Sequence, residues 1–236
     1  FDDNTSSLGS GGAIAFEPVT AGQNLTVTGS TFESNDAEDE GGAIFAKDAE
    51  SVTIEDSVFI RNRAPTGDAG AVHLEESAAY RLQRVTFHAN TADGRGGAIF
   101  DKQTSGTGVM ENCVFTENTG RNGGAVHLTD NGAQAQLVNL TFAGNDASIA
   151  GAHLYLDAAT VSFVNNIAWS GQDGGGLFAA DEPSGSGSGS HGKISCIRSS
   201  EAITCSAIWY AAVSYRSVPV GVTLVTVAPT ERSPST

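Results

Sequence analysis

The residues best suited to chemistry in this sequence are two histidines and the apolar residues aligned with them. They occupy one position of an internal repeat, in the order Phe45, His73, Phe100, His127, Leu154 and Phe178. If consecutive repeats stack about 4.8 Å apart, the two histidines lie about 10 Å apart and cannot share one zinc ion. An outward row of rings would suit a sugar face or a protein partner. Coverage of this row by loops or flanking side chains is the alternative.

Acidic residues are the second candidate for a site. The chain carries 27 acidic and 12 basic residues, with a net charge of −15. In the loop DAEDE, the carboxylates of Asp36, Glu38, Asp39 and Glu40 could bind Ca²⁺ together with backbone carbonyls. The loop lacks the spaced D-x-D-x-D-G pattern of an EF-hand, which favours an exposed acidic turn. Apart from this Ca²⁺ candidate, no cofactor is expected.

Paired carboxylates at a defined separation would indicate glycoside hydrolysis. The acidic residues lie in loops and do not form a repeated column, which favours solvated loops over a carboxylate active site. The sequence contains no G-x-S-x-G, H-E-x-x-H, P-loop or C-x-x-C motif. No catalytic residue is therefore assigned.

The charge balance and the hydropathy pattern argue against two classes of partner. Phosphate binding needs clustered Lys and Arg, so this acidic chain is not expected to bind nucleic acid. No segment approaches the roughly 18 consecutive apolar residues of a membrane helix, so direct membrane insertion is not expected.

The candidate residues are positioned by an internal repeat of roughly 28 residues. One signature, F-x-x-N, starts at Phe1, Phe32, Phe59, Phe87, Phe115 and Phe142, with a degraded copy at Ile167. The second signature, G-G-A-[IV] with some variants, keeps step with the first and ends at Ile14, Ile44, Val72, Ile99, Val126, His153 and Leu177. Two signatures that recur in phase indicate a solenoid.

Each repeat has the pattern of short strands joined by corners. Val52 and Ile54 alternate with polar neighbours, and Ser57 and Phe59 do so after a bend, which is the period of a strand. No stretch has the apolar spacing of an amphipathic helix. The predicted fold class is therefore all-β, a single-stranded parallel β-helix (solenoid) of about six to seven coils.

Both signatures have structural roles in such a coil. The glycine pair suits a corner that needs a positive φ or a close backbone approach. The Asn of F-x-x-N can bond to backbone groups and to the equivalent Asn of the coils above and below. Ligand binding by these asparagines is the alternative.

The repeat array is predicted over residues 1–180. Residues 181–192 are rich in Ser and Gly and are predicted to be a loop or linker. Residues 193–227 have strand-like composition without either signature and are predicted to be a terminal coil or cap. Residues 228–236 are predicted to be a disordered tail.

Two covalent modifications are candidates. N-x-[ST] sequons place candidate N-glycosylation sites at Asn4, Asn24 and Asn139. Cys196 and Cys205 flank a short polar segment and are a candidate disulfide pair, whereas Cys113 lies inside the array and is predicted to be buried.

The two alternating signatures resemble the repeats of the polymorphic outer membrane proteins, the chlamydial surface adhesins. Similar repeats occur in many other large secreted or surface β-helix proteins. The resemblance covers Phe1 to Phe178. It implies a right-handed β-helix and an extracellular or surface-displayed passenger that acts in adhesion.

Two functions are carried forward from the sequence. The first is an extracellular or cell-surface segment, structural or adhesive and non-enzymatic, which binds a cell-surface or extracellular-matrix glycan or protein through its lateral face. The alternative is a fragment of a pectate-lyase-like enzyme, either a polysaccharide lyase or a glycoside hydrolase. Because F-x-x-N begins at Phe1, the segment is expected to belong to a longer polypeptide or assembly.

Overall fold

The computed structural model describes residues 1–102, 104–129, 134–157, 159–169, 178–181, 191–198 and 203–208. In these residues the chain passes through four sheets in a fixed order and returns to the first, so each circuit forms one coil. Three of the sheets contain six strands, which gives about six coils. The described part of the chain contains no helix with the length and hydropathy of a membrane span.

The four sheets are numbered in the order in which the chain enters them. Sheet 1 contains β1 (Thr5–Ser6), β5 (Asp36–Ala37), β9 (Arg63–Ala64), β13 (Thr91–Ala92), β17 (Thr119–Asn122) and β21 (Asp146–Ala150). Sheet 2 contains β2 (Ile14–Phe16), β6 (Ile44–Lys47), β10 (Val72–Glu75), β14 (Ile99–Lys102), β18 (Val126–Thr129), β22 (Leu154–Asp157), β25 (Phe178–Asp181), β26 (His191–Arg198) and β27 (Ile203–Ile208).

Sheet 3 contains β3 (Asn24–Thr28), β7 (Ser51–Glu55), β11 (Tyr80–Gln83), β15 (Thr107–Glu111), β19 (Gln134–Val138) and β23 (Thr160–Val164). Sheet 4 contains β4 (Thr31–Glu33), β8 (Val58–Ile60), β12 (Thr86–His88), β16 (Val114–Thr116), β20 (Thr141–Ala143) and β24 (Ile167–Trp169). Up to β25, each strand pairs in parallel with the equivalent strand of the next coil, for example β10 with β14 and β12 with β16. The predicted parallel β-helix is therefore confirmed.

The core is built from columns of similar residues. In sheet 4 the phenylalanines of F-x-x-N from Phe32 to Phe142 point inward and are fully buried. Their rings stack face to face with centroids 4.7 to 5.0 Å apart. Because each ring is covered by the rings of adjacent coils, a coil buries its core only when it is stacked.

The asparagines of F-x-x-N form a buried hydrogen-bond ladder beside the phenylalanine stack. The Nδ2 of Asn90 donates to Oδ1 of Asn118 at 2.9 Å and to the carbonyl oxygen of Phe59 at 3.0 Å. Its Oδ1 accepts from the backbone N–H and the Nδ2 of Asn62, at 3.0 and 2.9 Å. The pattern begins at Asn4, so the predicted ladder is confirmed, and it satisfies amide groups that would otherwise be buried without partners.

His153 contacts both columns. Its Nδ1 lies 3.3 Å from the Nδ2 of Asn145. Its ring also stacks on Phe142 at a centroid distance of 5.6 Å. One buried side chain thus touches the ladder and the ring stack together.

The two glycines of G-G-A-[IV] have different roles. Gly41 and Gly96, the first glycines of their pairs, have φ values of 63° and 64°, a left-handed conformation that L side chains rarely adopt. Gly97, a second glycine, allows a close approach, because a Cβ there would collide with the carbonyl oxygen of Gly124 and the backbone of Thr119. Both predicted glycine roles are confirmed, one at each position.

Ala69 occupies the position of the first glycine in the third coil and has a φ of 60°. An L residue in this conformation costs roughly 1 kcal/mol. Ala69→Gly is therefore expected to raise the free energy of unfolding by roughly 0.5 to 1 kcal/mol, measured by urea denaturation. Gly96→Ala is the matched reverse change and is expected to lower it by at least as much. A neutral or destabilising Ala69→Gly, with Gly96→Ala tolerated, would contradict this account.

The last described copy of the glycine motif is shifted by one residue from the predicted alignment. The sequence alignment places His153 with Val126, but in the structure Val126 pairs with Leu154. The pairing of β17 with β21 is irregular between Gly120 and Asn122, and this irregularity absorbs the extra residue. The column assignment of Leu154 in the sequence alignment is therefore corrected: it lies in the inward column.

Beyond the parallel array, β26 and β27 continue sheet 2 as antiparallel strands next to β25. The predicted terminal coil or cap over residues 193–227 includes most of this pair, and its remainder after β27 lies outside the described residues. The predicted linker over 181–192 is described only at its ends, and the predicted tail over 228–236 lies outside the described residues.

Candidate functional site

The predicted outward row lies on the outer face of sheet 2. Strand register aligns Phe45, His73, Phe100 and His127, and the next residue in the row is Tyr155. Neighbouring ring centroids are 4.8 to 5.2 Å apart, with tilted or edge-on geometry. We call these five residues the ring column.

The ring column is buried, and no ring in it is more than 5% exposed. Residues of the loop before each strand cover it. The Arg95 guanidinium lies 4.4 Å from the ring centroid of Phe100 and is held there by Asp68 at 2.8 Å. The carbonyl oxygen of Asn122 lies 3.3 Å from Nδ1 of His127. Burial lowers the pKa of His127 to about 3, so this ring is neutral at physiological pH.

This burial corrects the exposed-face interpretation of the sequence. Of the two alternatives, the structure shows coverage, so Phe45, His73, Phe100 and His127 do not form a platform that a glycan could reach. The four rings are buried because of the conformation of the covering loops, which the repeat pattern does not encode. Phe178 is not part of the ring column because it pairs with Leu154, which belongs to the inward column.

A cluster of charged groups surrounds His73. Its Nδ1 lies 3.9 Å from a carboxylate oxygen of Glu40, and its Nε2 lies 3.6 Å from a carboxylate oxygen of Glu75. Glu75 also receives Lys47 at 2.8 Å and Lys102 at 3.1 Å, one lysine from each neighbouring coil. His73 is fully buried, and the Glu75 side chain is 8% exposed. We call these five residues the His73 cluster.

The surroundings of Glu75 keep it ionised. The His73 ring, Lys47 and Lys102 together hold the pKa of its carboxyl well below its usual range, although burial acts in the opposite direction. Glu75 is therefore unsuited to donate or accept a proton near neutral pH. It serves as a fixed negative charge between two lysines.

A second unusual carboxylate, Asp101, lies inside the core. It occupies the inward column of sheet 2 between Leu74 and Leu128 and is 4% exposed. One of its oxygens accepts from the backbone N–H and the hydroxyl of Thr104, at 3.2 and 2.6 Å. Burial raises its pKa to about 6 despite these two hydrogen bonds. Because it faces the core, Asp101 is not placed to act on a polysaccharide outside the coil.

The two carboxylates are expected to give stability changes of opposite sign with pH. Asp101 has a folded pKa of about 6, above the unfolded value of about 3.9, so its ionisation costs stability as the pH rises through this window. Asp101→Asn should therefore be more stable than the wild type by about 3 kcal/mol at pH 8 and equally stable near pH 4.

Glu75→Gln is the counterpart. The folded pKa of Glu75 is depressed, so its charge stabilises the protein above the unfolded pKa of about 4.3, and this contribution is lost as the pH falls towards the folded pKa. Glu75→Gln is expected to lose roughly 2 kcal/mol at pH 7, and the loss should shrink below pH 4. Urea denaturation of both variants from about pH 2 to pH 8 measures these differences, and parallel pH profiles for the two would contradict the assignments.

The four Ca²⁺ candidates do not converge on one point. The carboxylate of Asp36 forms an ion pair with the guanidinium of Arg63 at 3.5 Å, and that of Glu40 lies beside the ring of His73. Glu38 and Asp39 are exposed. Among the described residues, Glu40 is the one candidate that enters a group of three metal-ligating side chains, with His73 and Glu75.

The candidate modification sites differ in accessibility. Asn24 and Asn139 are exposed, whereas the amide of Asn4 is engaged in the ladder with Asn35. Cys196 and Cys205 are partners in the backbone register of β26 and β27, and opposed residues of antiparallel strands lie within the Cα range of a disulfide. Glycosylation and the disulfide remain predictions. Cys113 is buried, as predicted, and burial raises its thiol pKa to about 11.

The sequence contained signals for the residues that were missed. Lys47, Glu75 and Lys102 stand at equivalent positions of three consecutive coils, two residues after the ring column, so the repeat phase could have found them. Asp101 interrupts a column of apolar residues and could have been found in the same way.

The fold and these columns define a parallel β-helix, and comparison with known proteins identifies the family. Residues 1–168 match the family described as right handed beta helix region, and the chain belongs to this family. Its coils are therefore right-handed, as the resemblance implied.

Two curated proteins match part of the chain. The chain is 29% identical over 136 residues to the probable outer membrane protein pmp6 of Chlamydia pneumoniae, covering 53% of this chain and 11% of that protein. It is 29% identical over 121 residues to the probable autotransporter YfaL of Escherichia coli (strain K12), covering 45% of this chain and 10% of that protein. The resemblance to polymorphic outer membrane proteins is confirmed. No solved structure matches the chain.

Proposed function

We propose that the chain is a β-helical segment of a cell-surface or secreted protein, and that it serves as a rigid, non-enzymatic element that binds a glycan or protein through a lateral face. The relatives are named as an outer membrane protein and an autotransporter, which supports a surface role. The chain spans about a tenth of the length of each, so the activity of the whole protein is part of the proposal.

The observation that carries the proposal is the outer face of sheet 4. Outward positions of its six strands form one row of uncharged β-branched residues, Thr31, Val58, Thr86, Val114, Thr141 and Ile167. All six are partly or fully exposed. A regular row with no charge is suited to a flat partner surface, because it presents apolar methyl groups and hydroxyls without a large desolvation cost.

The test is binding of the purified chain to an array of animal cell-surface glycans and to immobilised collagen, fibronectin and laminin. The double variant Val58→Glu/Val114→Glu places two charges on the sheet 4 row and is expected to weaken binding at least tenfold. Thr53→Glu/Val109→Glu is the matched control, because it places two charges at outward positions of sheet 3. Equal losses in the two double variants, or no binding by the wild type, would contradict the proposal.

A carbohydrate-active enzyme is the second candidate, and one observation favours it. Glu40 and Glu75 bring carboxylate oxygens within 4.8 Å of each other and lie beside two lysines. Glycosidases use two carboxylates at comparable separations, but both must flank the substrate, and Glu75 is almost fully buried. Incubation with polygalacturonate and hyaluronan, with and without divalent cations, tests this candidate. Absence of any cleavage product would rule against it.

A further inference from the structure

His73 is buried without any hydrogen-bond partner for either ring nitrogen. A neutral imidazole has one N–H donor and one lone-pair acceptor. Leaving both buried and unpaired is unfavourable, because each group has lost its hydrogen bonds to water. The equivalent ring two coils away, His127, also has an unpaired Nε2, but a carbonyl oxygen lies 3.3 Å from its Nδ1. Of these two rings, His73 is therefore the one with an unpaired Nδ1.

A carboxylate stands opposite each nitrogen of this ring. Glu40 is 3.9 Å from Nδ1 and Glu75 is 3.6 Å from Nε2. Both separations are too long for a hydrogen bond and are near the spacing of two ligand atoms that share one ion at about 2.1 Å. A carboxylate facing an imidazole lone pair is repulsive unless a proton or a cation lies between them.

We propose that the His73 cluster binds a first-row divalent transition-metal ion such as Zn²⁺, with His73 and one of the carboxylates of Glu40 and Glu75 as ligands. The remaining carboxylate accepts the N–H of the second ring nitrogen. Metal-bound histidines usually donate their other N–H to a carboxylate in this way, which fixes the tautomer and the ring orientation. Whichever nitrogen takes the ion, the other already faces a carboxylate.

Nδ1 with Glu40 is the more favourable side for the ion. Lys47 and Lys102 both contact Glu75, so their positive charges lie on the Nε2 side of the ring. Glu75 is thereby held as an oriented acceptor for the Nε2 N–H. Glu40 is 28% exposed at its side chain, so it can move towards the ion, and water can complete the coordination.

The donor set decides the class of metal. Imidazole nitrogen with carboxylate oxygen suits Zn²⁺, Ni²⁺ or Fe²⁺, whereas Ca²⁺ and Mg²⁺ prefer sites made only of oxygen. The site therefore differs in chemistry from the Ca²⁺ candidate of the acidic loop, although Glu40 belongs to both. It also depends on neither proposed function, because it requires only the buried ring and its two carboxylates.

The test is Zn²⁺ titration of the full chain by calorimetry after removal of metal with a chelator. A Cys196→Ser/Cys205→Ser background excludes zinc binding by these thiolates. One Zn²⁺ equivalent is expected to bind with a rise in the unfolding temperature, and His73→Phe should weaken this binding at least tenfold. Phenylalanine fills the same position in the neighbouring coils at Phe45 and Phe100, so the variant is expected to fold.

Two further variants establish whether Zn²⁺ binds at the His73 cluster or elsewhere on the chain. Glu40→Gln changes a partly exposed side chain and should also weaken Zn²⁺ binding at least tenfold, whether or not His73→Phe folds. His127→Phe alters the same column without touching the cluster and should leave the affinity unchanged. Zn²⁺ binding that survives both His73→Phe and Glu40→Gln, absence of Zn²⁺ binding, or Ca²⁺ binding in place of Zn²⁺ would overturn the proposal.

Discussion

Replacing Asn90 with alanine is expected to lower the free energy of unfolding by roughly 4 kcal/mol. The side chain makes four hydrogen bonds, and it is fully buried. Without this side chain, the backbone N–H and the Nδ2 of Asn62 lose their acceptor. The carbonyl oxygen of Phe59 and the Oδ1 of Asn118 each lose one donor. The cost arises mainly from these unsatisfied buried groups, because water cannot reach them.

Urea denaturation followed by far-UV circular dichroism measures this loss. Asn24→Ala is the matched control, because Asn24 is an exposed strand asparagine that receives one hydrogen bond, from the hydroxyl of Ser51. Its replacement is expected to cost less than about 1 kcal/mol. If the two alanine variants lost similar amounts of stability, the ladder would not be the principal element of the corner.

Replacing Phe87 with alanine is expected to cost roughly 4 kcal/mol. Phe87 is fully buried and stacks on Phe59 and Phe115 at 5.0 Å on each side. Alanine removes the buried ring and leaves a gap in the middle of the stack, which the strands on either side cannot close without breaking their register.

Two comparisons sharpen this prediction. Phe87→Leu retains most of the apolar volume and should cost only about 1 to 1.5 kcal/mol. Phe1→Ala removes a ring that is 58% exposed and stacks on Phe32, and should cost about 1 kcal/mol. Urea denaturation of the three variants measures how much free energy of unfolding each one loses. A cost for Phe87→Ala no larger than that for Phe87→Leu would mean that the stack relaxes around the gap.

The sequence was sufficient to predict the fold because each buried determinant recurs at one phase. Phe87, Asn90 and Gly97 have counterparts in neighbouring coils, and stacking places these counterparts directly above and below each other. A single sequence therefore carries several independent copies of the same structural information. The inward columns and the ladder followed from that phase alone.

The predictions that were wrong concern features that interrupt the repeat period or lie in the loops between strands. The irregular pairing of β17 with β21 moved Leu154 into the inward column, and its local geometry is not visible in the repeat period. The burial of Phe100 depends on how Arg95 folds back across it, which is a loop conformation. Lys47, Glu75 and Lys102 share one repeat phase, but the approach of Glu40 to His73 comes from the loop before β6, which the phase does not show.

The asparagine ladder gives the solenoid a direction. Every amide donor from Asn4 to Asn118 that forms the ladder points to the asparagine of the following coil. A duplicated coil inserted in the same orientation would extend this series of donors and acceptors without a mismatch. The molecule can therefore lengthen by whole periods, each of which adds about 4.8 Å. The reach of the array is therefore set by its copy number, because each coil from Asn4 to Asn118 presents the same donor to the coil that follows.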